Sequence, residues 1–177
     1  ADMAMYNDDF RANERAFALI TQVVGRAGRG DKLGRAVIQT FSPNHELIAD
    51  AARQDYDAFY KSEINLRKMR GLPPFRDIIN LIISGPVEDS VLRAALRVAG
   101  KLKHALDCDW SDIEADVLGP APAGILKVNN KYRYTISVCS VNTKRLRDLI
   151  SRILCDFRDD KGNRNITIVA DVNSVDF

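Results

Sequence analysis

The residues best suited to chemistry lie in the segment QVVGRAGR, which begins at Gln22. Arg26 and Arg29 are three positions apart at the end of a predicted helix, so their side chains project in nearly the same direction. Planar, permanently charged guanidinium groups suit the phosphoryl oxygens of a transition state. Gly25 and Gly28 allow the backbone to approach a nucleotide closely. The spacing therefore predicts a contact with nucleotide phosphates.

A structural interpretation of the same segment stays open. In this interpretation the segment is a basic helix end capped by glycine, and its arginines pair with carboxylates such as Asp31. Gln22 adds a neutral hydrogen-bond donor and acceptor to the segment.

A second candidate site lies in the basic segment from Gly119 to Arg164. This segment holds ten basic and four acidic side chains, a net charge of +6, while the remainder of the chain carries −4. Asn142 or Thr143 can cap a helix that begins inside it, and the first-turn N–H groups then lie beside cations. Such a place suits a phosphate or a peptide carboxylate. The residues assigned to this DNA-binding or partner-tail-binding site are Lys131, Arg133, Lys144, Arg145 and Arg147.

The competing interpretation of the basic segment is a solvated helix face. In that case its arginines pair with Asp148 and Asp156. Trp110, in a predicted loop, is expected to be a surface packing residue and not a platform for base stacking.

Other kinds of site have no support in the sequence. Cys108, Cys139 and Cys155 are odd in number and far apart, with no CxxC pair, so no zinc site is predicted. His45 and His104 stand alone, so no metal site is expected. The thiols suit a reducing cytoplasm. No run of about 18 uncharged apolar residues occurs, and the start is not a signal peptide, so no membrane segment is predicted.

The first half of the chain is predicted to be mainly helical. Apolar residues recur at helical spacing, and glycines and prolines divide the segments. Tyr56 and Tyr60 fall on the apolar stripe and are expected in the core. The predicted elements are a helix from Asp9 to Gly28, a strand from Gly34 to Thr40, a turn and N-cap at Ser42-Pro43-Asn44, and helices through about Arg70 that stop at Gly71-Leu-Pro-Pro-Phe75.

The second half predicts a sheet with two helices in the order β-α-β-β-α-β. Right-handed crossovers fold that order into one sheet with both helices on a single face. The first strand is strongly apolar, and both helices are amphipathic. The predicted elements are strands at Asp77 to Ser84, Glu114 to Leu118, Tyr132 to Ser140 and Ile166 to Val172, with helices at Val87 to Leu106 and Lys144 to Phe157.

QVVGRAGR fits QxxGRxGR, the sixth motif of superfamily-two helicases and translocases. With its flanks it resembles the PriA family of replication-restart DNA helicases (primosomal protein N′). The resemblance spans essentially the whole chain, and the motif and GLPPF are its most specific parts. Further matching segments are Asp8 to Ala12, Glu14 to Phe17, Val37 to Thr40, Asn44-His45, Asp55-Tyr56, Phe59-Tyr60, Glu63-Ile64, Arg67, Leu118 to Pro122, Lys131 to Tyr134 and Asp171 to Asn173.

The resemblance implies a fold class of α/β followed by α+β. Residues 1–43 would be the tail of a RecA-like second helicase lobe, residues 44–75 a helical connector, and residues 76–177 a C-terminal domain that binds DNA and partners. The chain is therefore expected to be a piece of a longer, cytoplasmic, ATP-dependent helicase. That parent would unwind DNA with 3′-to-5′ polarity, recognise stalled forks and restart replication by primosome assembly.

The resemblance also implies roles for residues and partners. Arg26 and Arg29 would reach the γ-phosphate of ATP, with Gln22, Gly25 and Gly28 coupling the nucleotide to lobe position. ATP and Mg²⁺ would bind mostly to a lobe outside this chain, and zinc to a separate module. No cofactor is expected here. Because GxxxxGK[ST] and an Asp-Glu metal pair are missing, the fragment should not hydrolyse ATP. Implied partners are forked and single-stranded DNA, the acidic tail of single-stranded-DNA-binding protein, and primosome proteins.

An alternative from another class is a stand-alone α+β module that binds nucleic acid or protein. RNA-recognition sheets share the predicted strand order, but they need surface aromatic residues on central strands. Tyr132 and Tyr134 are the only strand aromatics here. This alternative also leaves QVVGRAGR without an explanation.

Overall fold

Residues 2–5, 9–27 and 35–174 are described by the structure, which is a computed structural model. The chain divides into two units, Ala1–Arg70 and Gly71–Phe177. Each unit has a hydrophobic core of its own. Across the described ranges, no helix is both long enough and apolar enough to cross a membrane.

Helices make up the regular structure of the first unit as far as it is described. They are α1 (Asp2–Met5), α2 (Ala12–Ala27), α3 (Glu46–Arg53) and α4 (Tyr56–Arg70). The rings of Phe17 on α2 and Phe59 on α4 stack with their centroids 4.2 Å apart. The predicted turn is present, but the cap of α3 is His45, whose Nδ1 accepts a 3.2 Å hydrogen bond from the Leu47 N–H.

The strand predicted from Gly34 to Thr40 is wrong for residues 35–40, which have no regular secondary structure. A strand needs a neighbour to satisfy its backbone groups. No strand occurs among the described residues of the first unit, so these β-branched residues have no ladder to join. Thr40 instead donates its hydroxyl to Asp2 Oδ1 at 2.8 Å, and the Phe41 N–H donates to the same carboxylate.

A buried polar network joins α2 to α4. Arg67 donates from Nε to Glu63 Oε1 at 2.8 Å, and its Nη2 lies 3.1 Å from Glu14 Oε1. Asn13 donates to the other oxygen of Glu63 at 2.9 Å. Arg67 and Glu63 are both about nine-tenths buried, so each charge requires its partner.

The second unit is a single antiparallel sheet in the order β2-β3-β1-β4. The predicted succession of strands and helices is present, with an added 3₁₀ helix, Lys161–Asn163, before the last strand. Both helices contribute to one core on one face of the sheet. The elements are β1 (Asp77–Gly85), α5 (Glu88–Asp107), β2 (Ala115–Val128), β3 (Lys131–Ser140), α6 (Lys144–Asp159) and β4 (Thr167–Val172).

Alternation along the strands decides which face is covered. Ile79, Leu81 and Ile83 of β1 are buried, while the residues between them are only half-buried. The same alternation on β3 buries Ile136 and Val138. No helix of the described chain contributes to a core on the opposite face, which is therefore the open face of the sheet.

Strand β2 is longer than predicted. It was expected to end at Leu118, before Gly119-Pro-Ala-Pro122, but it continues to Val128 with two register shifts against β3. Two reasons explain this. β2 is an edge strand, where proline is tolerated, and irregular pairing absorbs the extra residues.

Gly119 permits the first of these irregularities. Its φ is +93°, and a Cβ there would lie 2.8 Å from the Thr135 carbonyl oxygen. We expect Gly119→Ala to destabilise the second unit by about 2 kcal/mol or more, through backbone strain and this contact. Urea unfolding followed by the fluorescence of Trp110, the single tryptophan, measures the change.

Gly100→Ala is the matched control. Gly100 lies in α5 with nothing within 4 Å of an added Cβ. That variant should be neutral or more stable by up to about 1 kcal/mol, because alanine favours helix. Equal stability of Gly119→Ala and the parent chain would contradict the account of β2.

Candidate functional site

The C-terminal end of α2 presents part of the predicted phosphate site. Gln22, Gly25 and Arg26 are exposed, and Gln22 and Arg26 are one turn apart on the same side of the helix. No carboxylate of the described residues pairs with Arg26. Gly28 and Arg29, together with the possible partner Asp31, lie outside the described residues.

Gly25 also has a packing role that the sequence did not reveal. A Cβ at this position would lie 3.2 Å from Gln54 Nε2. Gln54 caps the end of α3 in the left-handed conformation, with φ of 57°. The small residue therefore leaves room for the Gln54 side chain beside the end of α2.

A cleft of about 510 Å³ lies between α2 and α4. Tyr56 and Tyr60 line it and are 61% and 50% exposed, so the expectation that they belong to the core is wrong. Only Phe59, between them in sequence, is buried against Phe17. The apolar stripe of α4 is wider than the helices of this unit can cover, so its margin remains at the surface.

Arg145 is held by the loop that precedes β2. Its Nε donates to Asp112 Oδ2 at 2.7 Å, and its Nη2 donates to the Asp109 carbonyl oxygen at 3.0 Å. Its guanidinium carbon lies 4.4 Å from the ring centroid of Trp110. The hydrogen bond from Arg145 lowers the pKa of Asp112 below its ordinary value. Arg145 therefore stabilises a loop, and a ligand would have to compete for it.

The other two cations at the start of α6 form fewer interactions within the chain than Arg145 does. Thr143 caps the helix by accepting a 3.1 Å hydrogen bond from the Leu146 N–H, as one of the two predicted caps. Arg147 donates to Asn142 Oδ1 at 2.8 Å. Lys144 is exposed, without an ion pair to any described carboxylate.

Lys131 and Arg133 do not join this group. They begin β3, whereas α6 follows its end, and β3 pairs with β1 from Tyr132 to Ser140. At about 3.4 Å per residue, roughly 25 Å of strand separates Arg133 from Ser140. The continuous basic patch expected from the sequence is therefore two separate surfaces at opposite ends of the sheet.

The open face of the sheet lacks the aromatic residues of an RNA-recognition surface. Tyr134 points into the core, where it donates to Glu88 Oε1 at 3.1 Å. Tyr132 lies on the same side of β3 by strand alternation. The residues of β1 and β3 that alternate onto the open face are Ile78, Asn80, Ile82, Ser84, Arg133, Thr135, Ser137 and Cys139.

Comparison with known proteins gives a consistent result. The replication restart protein PriA of Bacillus subtilis is 31% identical over 98% of this chain and 21% of its own length. The proteins of the same name from Chlamydia trachomatis and Rickettsia felis are 39% and 36% identical, over 80% and 78% of this chain and 18% and 20% of their own lengths.

The chain thus spans about a fifth of the length of the curated relatives it matches. The family model described as primosomal protein N C-terminal domain matches residues 68–175, which include every strand of the sheet. The chain therefore belongs to the primosomal protein N C-terminal domain family, and its similarity to replication restart protein PriA extends over most of its length.

Proposed function

We propose that this chain is the C-terminal part of a cytoplasmic, ATP-dependent DNA helicase that restarts replication. The parent recognises stalled forks, unwinds DNA with 3′-to-5′ polarity and assembles a primosome. The name shared by the relatives, replication restart protein, supports the restart role. The observation that carries the motor role is the pair Gln22 and Arg26, exposed one turn apart at the end of α2.

In this proposal residues 1–43 are the tail of a RecA-like lobe, and residues 44–75 are a helical connector. Arg26 and Arg29 approach the γ-phosphate of ATP, which is bound with Mg²⁺ mainly by residues outside this chain. Guanidinium groups there stabilise charge that develops on the transferred phosphoryl group. The exposed margin of the cleft, with Tyr56 and Tyr60, supports a unit that packs against more of the same lobe.

The second unit would bind DNA and partners. Lys144 and Arg147, at the capped start of α6, suit the acidic tail of single-stranded-DNA-binding protein or a DNA phosphate. The alternative of a stand-alone RNA-recognition module is less favoured, because the open face of the sheet presents serine, threonine and aliphatic residues in place of aromatic rings.

The motor assignment predicts a specific kinetic defect. In the full-length parent, Arg26→Ala and Arg29→Ala should each lower DNA-stimulated ATP turnover, by roughly a thousandfold for the arginine that contacts the transferred phosphate. DNA affinity should change less than twofold. Arg93→Ala, which removes an exposed arginine of α5, is the control and should retain normal turnover.

Two results would refute this assignment. One is normal ATPase activity in both variants, and the other is ATPase activity of the 177-residue chain above a buffer blank.

The partner assignment predicts salt-dependent binding. A peptide with the acidic residues and hydrophobic end of the tail of single-stranded-DNA-binding protein should bind the chain, and binding should weaken as salt rises. Lys144→Glu with Arg147→Glu should weaken it at least tenfold in an anisotropy titration. Arg145 is left unchanged because its reversal would place a second carboxylate beside Asp112.

Lys101→Glu with Lys103→Glu is the control, since it makes the same charge change on exposed positions of α5. Surface changes of this kind usually cost less than about half a kcal/mol in stability. If the α6 variant binds the peptide as tightly as the parent chain, the start of α6 is not the tail-binding site.

A further inference from the structure

The hairpin formed by β2 and β3 ends in a tight turn with an unusual set of side chains. Asn129 and Asn130 form the turn, with φ of 48° and 61°, the left-handed values of a two-residue hairpin loop. We call residues 127–133 the hairpin tip. It contains Lys127, Lys131 and Arg133, and no acidic residue occurs between Asp116 and Asp148.

The cations of the hairpin tip are not neutralised within the described chain. None of the three forms an ion pair with a described carboxylate. The two carboxylates in the first turn of α5 interact with other side chains. Glu88 accepts from the Tyr134 hydroxyl at 3.1 Å, and Asp89 pairs with Arg93. In contrast to Arg145, these cations keep their charge available to a ligand.

Strand alternation places the three cations on both faces of the hairpin. Lys127 is paired with Tyr132, so both side chains point to the face that carries the helices, and Lys127 Nζ lies 4.6 Å from the Tyr132 ring centroid. Lys131 and Arg133 point to the open face. β1 ends at Gly85, opposite Tyr132, so residues 128–131 alone extend past it as a two-stranded ribbon that ends in two amide side chains. Lys131 lies on this ribbon, and Lys127 and Arg133 lie at its base on opposite faces.

We propose that residues 128–131, at the end of the hairpin tip, enter a groove of duplex DNA, while Lys127 on one face and Lys131 and Arg133 on the other contact phosphates of the two strands. This inference rests on the proposed DNA-binding role of the second unit. The major groove, about 12 Å wide, admits a two-stranded β-ribbon, and asparagine amides can hydrogen-bond to base edges there. Phosphates flank the groove on both sides, which matches a ribbon whose base carries Lys127 on one face and Arg133 on the other.

Other occupants fit less well. A single strand is usually held by bases stacked on exposed aromatic rings. The one aromatic ring of the tip, Tyr132, is half-buried and lies beside Lys127. An acidic peptide would need one cationic face, and Lys144 and Arg147 provide a better one at the other end of the sheet.

The test uses the 177-residue chain and fluorescence anisotropy with a short DNA duplex and a single strand of the same sequence. The variant Lys127→Gln/Lys131→Gln/Arg133→Gln should bind the duplex at least tenfold more weakly. The slope of log affinity against log salt should fall by roughly 2 to 3, because each lost phosphate contact contributes about 0.9. Single-strand affinity should fall much less.

The control Lys61→Gln/Lys101→Gln/Lys103→Gln removes the same charge from exposed positions of α4 and α5 and leaves the pair of Arg93 with Asp89 intact. It should bind the duplex within twofold of the parent chain. Thermal unfolding followed by Trp110 fluorescence establishes that both variants are folded at the temperature of the titration.

The outcomes separate the inference from the function on which it rests. If the parent chain does not bind duplex DNA, both the DNA-binding role and the inference fail. If the duplex binds and the loss follows Lys144→Gln/Arg147→Gln instead of the hairpin variant, the DNA-binding role stands and the inference is wrong. An equal loss for single-stranded and duplex DNA would also overturn insertion into a groove.

Discussion

Antiparallel pairing of β1 with strands on both sides is the constraint on which the second unit depends. Ile79, Leu81 and Ile83 are buried on one face, so a slip of one residue in register would move all three to the open face. This register places β3 and β4 and brings both helices to one core. It also decides which polar residues share an end of the sheet.

The two ends of the sheet differ because of this pairing. At one end, Arg145 binds the loop around Trp110. Lys144 and Arg147, at the start of α6, do not bind this loop. At the other end, the hairpin turn leaves its cations without carboxylate partners among the described residues. A segment that is uniformly basic in sequence therefore becomes two surfaces with different capacities to bind a ligand.

The first unit depends on a different kind of interaction. Its helices are joined by stacked phenylalanines and by Arg67, which two carboxylates hold between α2 and α4. Burial makes Arg67 and Glu63 depend on each other, because removing either one leaves an uncompensated buried charge. The network ties α2 to α4, and Gly25 leaves room for the Gln54 side chain beside the end of α2. The tyrosines of the cleft are exposed because the apolar stripe of α4 is wider than the surface that the other described helices of this unit cover.

The sequence by itself determined most of the secondary structure. Helical and alternating periodicities located the helical regions from α2 to α6 and the strands β1, β3 and β4, because burial of one face imposes those periods on the residues. They did not locate α1, which is a single turn. It also located the arginine-glycine motif, whose spacing is local. It did not anticipate the extension of β2, since tolerance of prolines there depends on an edge position that only strand order reveals.

Tertiary structure alone decided what the charged residues do. The segment at residues 35–40 has residues that favour strands but no partner strand among the described residues, so the strand propensity of its residues did not produce a strand. Arg145 and Asp112 are far apart in sequence, yet they form an ion pair, so a ligand would have to compete with Asp112 for Arg145. Lys131 and Lys144 are closer in sequence, yet a whole strand separates them. The number of residues between two positions predicts the distance between them only within one helix or turn. Over longer separations, the pairing of strands determines which charged side chains lie close together.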